Sequence, residues 1–64
     1  MTETTINIDA VFGTEVKVGD TIKGGQQLGV ESGSGQPVFS KVNGLVKEII
    51  FDSQDHQFQI VISH

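Results

Sequence analysis

The feature that most constrains this chain is its punctuation. Eight glycines break up the 64 residues, and short alternating apolar segments recur between turn signals every eight to twelve residues. That rhythm is all-β. From residue 4 to 12, Ile6, Ile8, Ala10 and Phe12 fall on one side, with Thr5, Asn7 and Asp9 opposite, the period of a half-buried strand. Gly13 ends it. Val16 and Val18 flank Lys17 in a second segment closed by Gly19-Asp20, Thr21-Ile22 is a stub of strand, and Gly24-Gly25 turns the chain into a strand on which Leu28 and Val30 share a side. Ser32, Gly33, Ser34 and Gly35 read as a flexible polar loop. Pro37 can begin but not continue a paired strand, so Val38-Phe39 is entered from that loop. Asn43-Gly44 marks another turn. Residues 45 to 51 are β-branched and apolar with Lys47-Glu48 exposed. After a polar break at 52 to 56, Phe58, Ile60 and Ile62 alternate with Gln57, Gln59 and Val61. About seven short strands in a single domain spanning 1–64 predict a small flattened barrel or sandwich, because closing a sheet protects its edges.

A domain this short buries only about 60% of the surface its unfolded chain exposes. With no cysteine, neither a disulfide nor a thiolate metal site supplements that core. No apolar stretch approaches the roughly 20 residues of a membrane helix. Met1-Thr2-Glu3 has neither the basic start nor the apolar centre of a secretory signal, so a soluble, cytoplasmic protein is expected. Eight acidic residues against four lysines give a formal charge of −4, which repels nucleic-acid phosphate and anionic membrane surface. Tyr and Trp are absent and Phe numbers four, which removes most stacking platforms for single strands. A basic or neutral protein is the expected partner, with no nucleic acid and no membrane insertion.

Three constellations bear on chemistry. Gly33-Ser34-Gly35 offers backbone N–H groups, but a phosphate cradle needs a helix N-terminus and usually a lysine next, and Gln36-Pro37-Val38 follows instead. Asp52, Asp55 and His56 are ligand types suited to a divalent metal or to proton transfer. They sit on one short loop without recognisable supporting groups, and read as a polar hairpin turn with solvent-facing acids. The serines and histidines have no nucleophile-elbow or triad context, and so small a domain has little room for a pocket of about 300 Å³. His64 is terminal. No catalytic, metal or cofactor site is expected.

The stretch Val16-Lys17-Val18-Gly19-Asp20-Thr21-Ile22-Lys23-Gly24-Gly25-Gln26-Gln27-Leu28 has the form V-x-x-G-D-x-V-x-x-G-Q-x-L, with Ile22 at the second valine position. It resembles the first half of biotinyl and lipoyl carrier domains. Glu31 falls where those domains often place the acid preceding their attachment turn. Ser40-Lys41-Val42-Asn43-Gly44-Leu45-Val46 looks like the same family's A-P-x-x-G-x-V segment, with Lys41 replacing the proline. The resemblance implies a barrel-sandwich hybrid in which turns at Gly19, Asp20, Gly25, Gln26 and Gly44 interlock two halves. Asp52-Ser53-Gln54-Asp55-His56 does not repeat the family's turns. The shortened second half is similar to the unmodified barrel-sandwich domains of ion-translocating quinone reductase subunits.

A swinging-arm carrier of that family holds biotin or lipoate on a lysine at the tip of an exposed turn. Counting from Glu31 puts that position at Ser34, and the tip reads Ser-Gly-Ser-Gly. None of Lys17, Lys23, Lys41 and Lys47 has the neighbours that the family's ligases read. The resemblance therefore implies an unmodified, non-catalytic module without a cofactor, acting as a protein-interaction or scaffold domain on a larger partner or parent complex. Ser32, Gly33, Ser34 and Gly35 form its candidate interaction loop. The alternative is a carrier modified at a non-standard lysine, Lys41.

Overall fold

The computed structural model describes residues 2–64. In chain order its strands are β1 (Glu3–Asp9), β2 (Thr21–Ile22), β3 (Gln27–Val30), β4 (Pro37–Phe39), β5 (Gly44–Asp52) and β6 (Gln57–Ser63). No helix occurs among the described residues, and so none is long and apolar enough to cross a membrane. Four strands form one antiparallel sheet in the order β1-β6-β5-β2, and β3 with β4 forms a second. The result is the all-β flattened barrel or sandwich that the alternation predicts, with six strands rather than seven.

The long apolar run of β6 is the spine. Thr4, Ile6 and Ile8 of β1 stand opposite Ile62, Ile60 and Phe58, while Val46, Ile49 and Phe51 of β5 face the same three residues from the other side. Period-two geometry puts all of these on one face. The small sheet covers that face. Ile8, Val16, Ile22, Leu28, Val46, Ile60 and Ile62 are buried together, with Ile6, Val38, Val42, Ile49 and Phe58 packed against them.

One extra residue bends β5. Val46 pairs with Ile62 but Glu48 pairs with Val61, which leaves Lys47 as a bulge with both charged side chains outward. The ammonium of Lys47 reaches the Glu3 carboxylate in an exposed ion pair. Because β1 and β5 flank β6, that pair passes over the central strand. It sits beside Val61, which is only 8% exposed although it points away from the core. The strict alternation read from the sequence for this strand gives way there.

Four other expectations are corrected. The first strand stops at Asp9 and leaves Phe12 72% exposed, so Phe12 does not continue the face of Ile6 and Ile8. Val16 and Val18 do not form a strand. Val16 is buried from a loop whose Glu15 N–H donates to the Leu28 carbonyl, whereas Val18 is exposed at a turn. A second bulge, between Gln27 and Gly29 opposite β4, buries Leu28 and Gly29 and leaves Val30 only half-buried. Finally, Gly44 lies beyond the turn and is the first residue of β5, directly opposite Ile22, the strand-opening place that the A-P-x-x-G-x-V resemblance gives that glycine. A Cβ there would lie 2.4 Å from the Ser63 carbonyl oxygen and 2.7 Å from Ile62 Cγ2, so only glycine lets β5 approach β6 this closely.

Candidate functional surface

Two turns with one design hold the centre of the chain. In 17–20, the Asp20 N–H donates to the Lys17 carbonyl at 3.0 Å, and the Asp20 carboxylate accepts the Lys17 N–H at 3.0 Å. In 23–26, the Gln26 N–H donates to the Lys23 carbonyl at 3.0 Å, and the Gln26 amide oxygen accepts the Lys23 N–H at 3.1 Å. Each third residue is a glycine at positive φ, 96° for Gly19 and 88° for Gly25, as a type II turn requires. Each turn is then clasped to a distant backbone. Gly19 N–H donates to the Val46 carbonyl and Val46 N–H to the Asp20 carbonyl, just as Gly25 donates to Ser40 and Ser40 to Gln26. The spacing of six between the turns is matched by six between their partners in reverse order.

Ser40 and Asn43 complete this region, and the sequence, which marks Asn43 only as a turn residue, shows neither bonding role. The Ser40 hydroxyl, 3% exposed as a residue, donates to the Val42 carbonyl and accepts the Val42 N–H. The Asn43 amide oxygen accepts the Gly24 N–H at 2.7 Å. The tendency of Ser and Asn to bond nearby backbone was the available signal for Ser40, but Asn43 acts across 19 residues, which no local rule reveals.

The Ser32 to Gly35 segment is the tip of the β3–β4 hairpin. It is tied by bonds rather than loose. Glu31 N–H donates to the Gln36 carbonyl, Gly35 N–H to the Glu31 carbonyl, and the Ser34 hydroxyl to the Glu31 carboxylate at 2.7 Å. The Ser32 hydroxyl donates to the Asp9 carboxylate at 3.2 Å, which fastens the tip to the end of β1. Ser34 is exposed at this tip and no lysine lies within the hairpin. Lys41 is exposed in the bend between β4 and β5, beside buried Ser40 and away from any hairpin tip.

The β5–β6 hairpin emerges at the same end of the molecule. Asp9 and Asp52 both stand opposite Gln57. The Asp52 carboxylate accepts N–H bonds from Gln54 at 3.0 Å and Asp55 at 3.4 Å, so it closes the turn. Among the described residues, no three metal-ligating side chains gather, and Asp52, Asp55 and His56 do not form such a group. His56 takes a φ of 54° and sets its ring edge-on to Phe51 at 5.7 Å, while Phe51 and Phe58 lie 5.5 Å apart. Ala10 N–H donates to the His56 carbonyl at 3.1 Å, so the loop carrying Val11 and Phe12 leaves from beside this hairpin. Val11, Phe12 and Phe51 are 69%, 72% and 49% exposed.

The pocket expectation is also corrected. Two open grooves of about 610 and 400 Å³ flank Leu45 on the outer face of the larger sheet. Their charged lining groups are Lys23 in the first and the Glu3–Lys47 pair in the second. Hydrogen bonding to Glu3, and then the charge of Glu3, raise the Lys47 pKa above its ordinary value. No family model matches this chain, and no curated protein or solved structure matches it.

Proposed function

We propose that this chain is a non-catalytic protein-interaction module, an unmodified relative of the biotinyl and lipoyl carrier domains that docks on a larger protein. The observation that carries the reading is the pair of clasped Gly-Asp and Gly-Gln turns. Carrier-like domains need such turns to interlock their halves, and here they accompany a hairpin tip that presents serine where a carrier presents lysine. The exposed apolar residues of the hairpin end agree with a docking role, since exposed apolar patches on small soluble domains mark contact surfaces.

The test is the intact mass of the protein purified from its native host. The unmodified mass is expected. An added biotinyl or lipoyl mass on Lys41 overturns the reading and makes the chain a carrier.

A further inference from the structure

The lysines of this molecule lie toward one end, where Glu3, Asp20 and Glu48 stand among them. Lys17 and Lys23 open the two clasped turns, while Lys47 and Lys41 follow Val46 and Ser40, the residues those turns are clasped to. All four lysines of the chain are thereby gathered about the turn end. At the opposite end lie Asp9, Asp52 and Asp55, together with Glu31 at the base of the hairpin that Ser32 fastens to Asp9. No lysine stands among them. The same end exposes Val11, Phe12 and the Phe51 ring.

We infer that this hairpin end binds a basic protein segment, one carrying an aromatic or aliphatic anchor between lysine or arginine residues. The inference rests on the interaction-module reading and names the chemistry of the partner. An apolar anchor can cover Phe51 and Phe12, removing their surface from water, while flanking cations meet carboxylates that no cation of this chain neutralises. A nucleic acid or an anionic bilayer is repelled by those carboxylates. Two copies joined end to end in the same way set like charges against each other, which disfavours an isologous dimer through this surface.

The experiment uses the whole chain, isotope-labelled for NMR, and a synthetic peptide alternating lysine with phenylalanine and leucine. Peptides with glutamate or with glutamine in place of lysine serve as controls. With the lysine peptide, shifts are expected at Val11, Phe12, Phe51 and Asp52. Affinity should fall as salt rises from 0.1 M, where screening acts over about 10 Å, toward 1 M, where it acts over about 3 Å. Phe12→Ser should weaken binding about tenfold, a loss of about 1.4 kcal/mol. Asp52→Asn with Asp55→Asn should flatten the salt dependence. Phe12 is so exposed that its replacement leaves the fold intact, which keeps the test meaningful even where Phe51→Ser does not fold.

Equal binding of the glutamate peptide, or no binding of the lysine peptide at millimolar concentration, overturns the inference. So do shifts confined to the grooves beside Leu45, although that result leaves the interaction-module reading standing. Concentration-dependent self-association without peptide, with shifts at both ends of the molecule, shows a head-to-tail second copy instead and also overturns it. A biotinyl or lipoyl mass removes the underlying reading itself, independently of any peptide result.

Discussion

The two ends of the sheet use their residues differently. At the turn end, Gly19, Gly25 and Gly44, the caps of Asp20, Gln26 and Asn43, and the hydroxyl of Ser40 all serve closure of the backbone. At the hairpin end the backbone is also closed, and Val11, Phe12 and Phe51 remain in solvent with no lysine among them, whereas Val18 and Leu45, exposed at the turn end, lie beside Lys17 and the Glu3–Lys47 pair. Buried apolar area stabilises a fold at roughly 25 cal/mol per Å², so a small domain that leaves large apolar groups exposed forgoes stability it has little of. What separates the ends is charge, since the exposed apolar groups of the first stand among lysines and those of the second among carboxylates with no lysine beside them.

Substitutions can break that contrast. The largest effect is expected from Gly44→Ala, whose new Cβ meets the Ser63 carbonyl and forces β5 and β6 apart. Overpacking of this kind costs about 3 kcal/mol, and urea denaturation should show a loss of that size. A loss under about 0.5 kcal/mol would mean that the strands are not held this closely.

Gly25→Ala should cost about 1–2 kcal/mol because the residue must hold a left-handed backbone, even though its side chain would meet open space. Gly19→Ala should match it, since the two turns share one geometry. Unequal losses would show that one clasp matters more than the other. Replacing the caps sharpens the same point. Asp20→Ala and Gln26→Ala should each cost about 1 kcal/mol, the net worth of a typical hydrogen bond.

Phe12→Ser should shift stability by no more than about 0.5 kcal/mol, as expected of a surface change away from caps and core. A clear drop in melting temperature would place Phe12 in the fold rather than on a docking surface, and the contrast between the ends would fail.

The smallest effect belongs to the Glu3–Lys47 pair, which is exposed at both partners. Its sign is still fixed. Lys47 holds its proton more tightly when folded, so its contribution is fully present below the ordinary lysine pKa of 10.5 and is lost as pH rises through the raised value. Unfolding measured from pH 9 to 12 should show wild type and Glu3→Gln converging at the alkaline end.

Much of this was legible in the residues. Alternation at Ile6 and Ile8 and at Ile60 and Ile62 determined those strands and their buried faces, because a pleated backbone sends successive side chains to opposite sides. Gly19-Asp20 and Gly25-Gln26 were legible as turns because few residues besides glycine enter positive φ without strain. Tertiary structure alone decided what depends on distant partners: the clasps to Val46 and Ser40, the bulges at Lys47 and Leu28, and the need for glycine at position 44 against Ser63. Only tertiary structure could gather Asp9, Asp52 and Asp55 with Phe12 and Phe51 at one end and every lysine about the other. Local propensity acts over a few residues, whereas these neighbours are set by how strands far apart in the chain pack and pair.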